Sequence, residues 1–377
     1  MKLAPALLEQ WLRDYYFEAK FDIGSSGVEN FSLGELRERL HISQRELDGV
    51  VFCDSPTLGD SKLREAIAKR WATGRVERVM TAHGSSEAIY LILNSLLHKD
   101  DEVVVLDPIY YAFAAFVEGI GCRVVRWPIR FEEGFTPDVD DLNRLVSPRT
   151  KMIIVNFPHN PTGATATVQQ QNAMIRIASK AGCYLLWDSA FGALTYEQPS
   201  LPEIGDYYDR AISIGTLSKA YGLPGLRVGW GIAPPEVLQK CTHLRDYTTL
   251  YLSPLIELIA TRAIQNAERL VSMRLEQARA NREILTQWVN EHEDVVRWVR
   301  PAGGVSCFLR LSGVRDVPEM CRSLAREAGV LLVPGNCVGF PQFVRLGFGG
   351  PTRDLESALT LFSKHLHDQI RPAYIGS

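Results

Sequence analysis

From about residue 76 the chain alternates short, largely apolar runs with longer helix-length segments. Residues 76–81, 102–106, 122–127, 151–156, 183–187 and 211–215 read as strands. Continuous Val/Ile/Leu runs of this length suit strands buried on both faces. The intervening segments, residues 87–97 among them, are long enough for helices, so the pattern predicts a mainly parallel, helix-covered sheet. Before this region, Leu8, Trp11, Leu12, Tyr15 and Tyr16 mark an amphipathic helix over 5–20. A glycine-serine loop at 22–27 follows, then helices over 33–40 and 61–71, the second capped by Ser61. Beyond 253 a long helical stretch reaches about 289, with a break expected near Ser272. Strands near 295–300, 305–311 and 343–348, with helices at 317–328 and 351–370, form an α+β unit. The expected class is α/β: a three-layer large domain over 45–275, and a small α+β domain combining 1–44 with 276–377.

Sheets of this kind place their sites beyond the carboxyl ends of the strands. His83, Asp107, Asn156, Asp188 and Thr216 all fall there. The composition narrows the partners. A net charge of −3 on 377 residues, with basic residues scattered singly, gives no reason to expect nucleic acid or membrane. The seven cysteines are widely spaced without a C-x-x-C pair, as in a reducing compartment, and no metal-ligand spacing stands out. Charges interrupt the apolar start of the chain and no apolar run approaches membrane-spanning length, so a cytoplasmic protein is expected.

The richest stretch runs Thr216-Leu-Ser218-Lys219-Ala-Tyr-Gly-Leu-Pro-Gly-Leu-Arg227-Val-Gly-Trp230. A lysine at a strand end, crowded by a second cation, is an amine whose pKa falls and whose nucleophilicity rises. The hydroxyls of Thr216 and Ser218, with the Arg227 guanidinium, are donors suited to a phosphate. Gly84-Ser85-Ser86 opens a helix directly after a strand, where free N–H groups and the helix dipole form a second phosphate contact. Asp188 ends the apolar run Cys-Tyr-Leu-Leu-Trp, where a carboxylate calls for a cation. Asn156-Phe-Pro-His-Asn160-Pro-Thr-Gly163 is a rigid turn that presents the Asn160 amide.

In this order and over nearly the whole chain, these motifs resemble fold-type I aminotransferases. The resemblance implies pyridoxal 5′-phosphate, with Lys219 as Schiff-base lysine and proton shuttle and Asp188 on the pyridine nitrogen. It implies Asn160 on the phenolic oxygen, and Gly84, Ser85, Ser86, Thr216, Ser218 and Arg227 around the phosphate. Tyr110 would stack on the cofactor ring, and Arg345 would clamp the carboxylate of an amino-acid substrate. Gly24 and Ser25 would close over that substrate. A homodimer with its site at the subunit interface is implied as well.

Three positions depart from an ordinary aminotransferase. Phe191 stands where the family's Asp-x-x-Tyr would supply a phenol. Asp54 stands where the neighbouring subunit usually lends a tyrosine. His83 precedes the phosphate-binding Gly-Ser and is a candidate acid/base. The local phrases resemble one subgroup, the capreomycidine synthase-like hydroxyarginine cyclases, which keep the cofactor apparatus but do not transaminate. That likeness implies a substrate with an α-amino-acid head, a hydroxyl on Cβ or Cγ, and a guanidinium tail. Water would be lost and the guanidine would close on the side chain, giving a six- or five-membered ring of capreomycidine or enduracididine type. Glu9, Asp14, Glu29 and Asp54 are the carboxylates considered for the guanidinium. The rival reading is an ordinary aminotransferase of an amino acid and a 2-oxo acid.

Overall fold

A computed structural model describes residues 3–370. Its strands are β1 (Phe21–Asp22), β2 (Val79–His83), β3 (Glu102–Asp107), β4 (Arg123–Pro128), β5 (Thr150–Asn156), β6 (Tyr184–Asp188) and β7 (Ala211–Thr216). They continue with β8 (Val228–Ile232), β9 (Val296–Arg297), β10 (Ser306–Leu311), β11 (Val330–Leu331), β12 (Val333–Pro334) and β13 (Phe343–Gly347). Seven of them form one sheet in the order β2-β8-β7-β6-β5-β3-β4. Pairs β3–β4, β3–β5, β5–β6 and β6–β7 are parallel, as the apolar runs predict.

The exception is β8, which lies antiparallel between β2 and β7. It was not legible because Val-Gly-Trp-Gly-Ile is short and glycine-rich, a weak strand signal. The glycines serve close approach. Gly215 sits opposite Trp230, and a Cβ on Gly215 would stand 2.3 Å from the indole. Trp230 in turn stacks on Trp71 at 4.6 Å between ring centres, joining the helix Ser61–Trp71 to the sheet.

A second sheet, β12-β13-β10-β9, is antiparallel and belongs to the C-terminal part of the chain. The N-terminal arm reaches it through the parallel pair β1–β11 and through Trp11, whose indole N–H donates to the Leu332 carbonyl at 2.8 Å. Apolar side chains fill two buried clusters, one around the centre of the large sheet and one joining the arm, the long helices and the smaller sheet.

Several local expectations are corrected. The first helix covers only Leu7–Tyr15, and residues 76–78 form a 3-10 turn ahead of β2. A short helix, Gln44–Asp48, is additional. The long C-terminal helical stretch breaks at Asn266, between Pro254–Gln265 and Ala267–Glu291, while Ser272 is mid-helix. Helix Ser61–Trp71 is capped by Asp60, whose carboxylate accepts from the N–H of Lys62 (2.9 Å) and Leu63 (3.3 Å). Ser61 is its first helical residue.

The cap gives a direct test. Asp60→Ala should lose about 1 kcal/mol in urea unfolding, whereas Ser61→Ala should leave the midpoint nearly unchanged. Equal effects would refute the assignment.

Candidate active site

Strand ends gather on one edge of the large sheet. Asn156 and Asp188 are register partners across β5 and β6, and Thr216 at the end of β7 faces Gly229 of β8. In front of them lies a cavity of about 790 Å³, whose wall includes Lys219, Asp188, Asn160, Tyr110 and Arg345. Ser85, Ser86, Ser218, Arg227 and Ser25 also line it, whereas Gly24, Gly84 and Thr216 lie behind the wall.

The phosphate end is built by β8. Because that strand runs back along β7, it delivers Arg227 to the start of helix Gly84–Leu96. Gly84 has φ +74°, and a Cβ there would lie 2.4 Å from Arg227 Nη2. A Cβ on Gly229 would lie 2.4 Å from the Ser85 nitrogen. Only glycines allow this approach. Arg227 itself has φ 53°, a left-handed conformation unusual for a side-chain-bearing residue. Its Nη1 donates to Ser218 Oγ at 3.3 Å, and the Thr216 hydroxyl lies 3.0 Å from the same oxygen. A helix N-terminus, a guanidinium and a row of hydroxyls thus converge.

Asp188 occupies the middle. It is buried, and its carboxylate accepts the Ala190 N–H at 2.9 Å. Burial pushes its carboxyl up to about 6, against that hydrogen bond and the nearby Lys219 charge. A carboxylate so placed fits a cationic ring nitrogen. Burial, then the Arg345 charge, push the Lys219 amine down to about 8, with Glu9 opposing and Arg227 assisting. Its Nζ donates to Ser26 Oγ at 3.2 Å. The cradle, the buried carboxylate and the enclosed lysine fit a pyridoxal phosphate.

Arg345 uses part of its donor set within the protein. Nε and Nη2 donate to the Gly24 carbonyl at 3.2 and 2.9 Å, and Nη1 donates to Asn160 Oδ1 at 3.3 Å. A guanidinium has five N–H groups. Those three bonds leave one on each terminal nitrogen, the paired geometry that grips a carboxylate. The guanidinium is buried, which pushes it down to about 10 against the charge of Asp22. With its Oδ1 committed to Arg345, Asn160 keeps its amide N–H groups available. Its own backbone N–H is held by Asn156 Oδ1 at 2.9 Å.

His159, within the rigid turn, received no role from the sequence. It is buried, which pushes it down to about 4 and keeps it neutral. Its Nε2 meets the Pro108 carbonyl at 2.7 Å and its Nδ1 meets Thr162 Oγ1 at 2.7 Å. The Asn160 turn is thereby tied to the loop that carries Tyr110.

Four expectations change. His83 is not on the cavity wall: its Nδ1 and backbone N–H both engage Glu87 Oε2, at 3.1 and 2.5 Å. Despite burial, bonds from His83 and Thr249 hold Glu87 down to about 2. Glu29 lines the cavity but is paired with the Arg274 cation (2.7 Å) and accepts a hydrogen bond from the Gln277 amide (3.0 Å). Asp14 is exposed and lies off the wall. Asp54 also lies off the wall of its own chain and accepts from the Tyr251 hydroxyl. Glu9 remains, accepting from Tyr111 OH at 3.3 Å. The sequence reading missed Asp22 and Asp354, which also line the cavity, because isolated acidic residues carry no local signal. Phe191 is buried with an edge on the cavity, so no phenol stands there.

Comparison with known proteins agrees with this geometry. Residues 43–362 match the family model "Aminotransferase class I and II". The chain belongs to this family. It is 43% identical to capreomycidine synthase of Streptomyces vinaceus over 98% of this chain and 95% of that one. Among solved structures it resembles the PLP-dependent cyclase OrfR, with 41% identity, 98% of each chain and a TM-score of 0.93. A PLP-dependent aminotransferase from Streptococcus suis 89-1591 is 29% identical, covers 98% of this chain and 99% of that one, and also has a TM-score of 0.93. The cofactor of this chain is therefore pyridoxal 5′-phosphate.

The buried carboxyl predicts a pH effect. Folded Asp188 holds its proton up to about pH 6, and the unfolded chain releases it near 3.8. The cofactor-free protein should therefore lose stability as pH rises through this window, by about 3 kcal/mol from this group. Urea melts of the parent and Asp188→Asn at pH 4 and 6.5 check this. The variant should lack that part of the slope; parallel curves would refute the assignment.

Proposed function

We propose that the chain is a cyclodehydratase of 3- or 4-hydroxyarginine, forming a cyclic guanidino amino acid. The observation that carries this reading is the charge layout of one cavity. Arg345 offers a carboxylate grip, Lys219 sits on the same wall, and Glu9 and Asp354 are carboxylates suited to a cationic tail. An amino acid ending in a guanidinium meets both kinds of group. The likeness to capreomycidine synthase and to a PLP-dependent cyclase supports the same substrate class.

In this reading Gly84, Ser85, Ser86, Thr216, Ser218 and Arg227 would hold the phosphate, and Tyr110 would lie against the ring. Asp188 would keep the ring nitrogen protonated, and Asn160 would donate to the phenolic oxygen. The bound cofactor supplies an electron sink for a carbanion at the substrate α-carbon. Arg345 holds the α-carboxylate, with Gly24 fixing the guanidinium and Ser25 on the adjoining wall. The Lys219 amine takes the α-proton at Nζ. With a β-hydroxyl, a guanidine nitrogen bonds to Cβ and gives up its N–H proton, the hydroxyl leaves with one proton as water, and a proton returns to Cα. With a γ-hydroxyl, a Cβ proton also leaves first, the new bond forms at Cγ in the same way, and protons return to Cβ and Cα. In either case one water is lost and one C–N bond is made. Glu9 and Asp354 hold the tail near the ring. Phe191 leaves the phenolic oxygen with one protein donor fewer than an Asp-x-x-Tyr site.

The deciding assay incubates the loaded enzyme with 3- and 4-hydroxyarginine separately and follows products by mass. Loss of one water, with no keto acid and no pyridoxamine form of the cofactor, is the expected result. Stoichiometric amino transfer would replace this reading with that of an ordinary aminotransferase.

We also infer a homodimer in which Asp54 serves the neighbouring site. Val51 and Phe52, close to Asp54 in the chain, are 72% and 75% exposed, apolar side chains that a second copy would cover. Mixing inactive Lys219→Ala chains with Asp54→Ala chains should then create mixed dimers carrying one intact site and restore turnover. No recovery after subunit exchange would remove Asp54 from the shared site.

A further inference from the structure

We propose that Ser26 is a further catalytic residue: its hydroxyl accepts an N–H from Lys219 and fixes the direction of the amine lone pair. The proposal rests on Lys219 being the cofactor lysine. Ser26 is buried, and its Oγ is the one hydrogen-bond partner of Lys219 Nζ among the described residues, at 3.2 Å.

The loop that carries Ser26 is held at many points. Asp22 Oδ1 accepts the N–H groups of Gly24 (3.0 Å) and Ser25 (2.9 Å). The Ile23 carbonyl accepts from Gly347 N–H at 2.8 Å, and Glu29 N–H donates to the Gly349 carbonyl at 2.9 Å. Val28 N–H donates to the carbonyl of Lys219 itself at 3.5 Å. A Cβ on Gly347 would fall 1.7 Å from the Ser25 carbonyl oxygen, so the loop lies directly on β13. Ser26 is therefore presented by the fold to the amine and is not a side chain that happens to swing past.

The chemical consequence follows from counting hydrogens. A neutral amine has two N–H groups and one lone pair. With one N–H held by Ser26 Oγ, rotation about the Cε–Nζ bond is restricted and the lone pair has a preferred direction. When Nζ takes the substrate α-proton, the same contact becomes a charge-assisted hydrogen bond and stabilises the ammonium. Ser26 accepts throughout, so no proton moves to it. The charges of Arg345 and Arg227 oppose that ammonium, while Glu9 and Asp188 favour it. Ser26 adds a short-range acceptor where burial and two cations depress basicity.

The first measurement uses the cofactor-free full-length chain. Lys219 is labelled competitively with acetic anhydride across pH and quantified by mass spectrometry. Relative to the parent, Ser26→Ala should titrate about one pH unit lower, the effect of losing one charge-assisted hydrogen bond. Ser26→Cys, of similar size but a weak acceptor, should shift the same way, and Ser26→Thr should restore the parental midpoint. In the loaded enzyme, Ser26→Ala should keep the visible absorbance of the lysine-bound cofactor. Its kcat should fall about 10- to 100-fold with KM within about 3-fold.

An unmoved midpoint in both the Ala and Cys variants, or an unchanged kcat, would overturn the role of Ser26. A Lys219→Ala variant that keeps the visible absorbance would instead overturn the cofactor-lysine assignment, so the two failures are separable.

Discussion

The Arg345 guanidinium is the point through which the site is held together. It lies on β13, near the C-terminal end of the chain. It grips the Gly24 carbonyl in the N-terminal arm and the Asn160 amide in the turn after β5. Three distant parts of the chain thus meet on one buried cation. Such a cation is costly to bury unless its donors are used, and two N–H groups remain after the protein's own bonds. The same bonds that fix the guanidinium leave those two N–H groups for a further acceptor, which in the proposed function is the substrate carboxylate.

Much of this is legible in the amino-acid sequence. Parallel strands buried on both faces leave continuous apolar runs, so β3, β5, β6 and β7 stood within a residue or two of their observed ends. The Lys219 segment and the Asn160 turn were legible because rigid turns require glycine and proline at fixed spacing. β8 was not, because its glycines weaken the strand signal while serving a contact with Trp230 and the cradle. Nor could the Gly24–Arg345 contact be read, since nothing local in either segment specifies a partner 321 residues away.

The charged candidates show the same limit from another side. Glu9, Asp14, Glu29 and Asp54 were chosen as carboxylates near the expected site. The fold separates them by their surroundings: Glu29 is already matched by Arg274, Asp14 faces solvent, and Glu9 lies on the cavity wall. A carboxylate's availability depends on its nearest cation, which tertiary packing supplies. His83 follows this rule too, since its partner Glu87 lies one helical turn on and draws the ring aside.

The left-handed backbone of Arg227 bears on how this enzyme could be stabilised in the laboratory. A non-glycine residue in that region carries strain of about 1 kcal/mol or more. Replacing it with glycine would ease the backbone and remove the cation facing Gly84 and Ser218. A search that scores variants by melting temperature alone would favour that exchange, whereas one that scores cofactor retention would reject it. With Arg227 in its proposed place at the phosphate, hardening the fold and keeping the cofactor pull in opposite directions at this single position, so selection for heat resistance needs to leave it fixed.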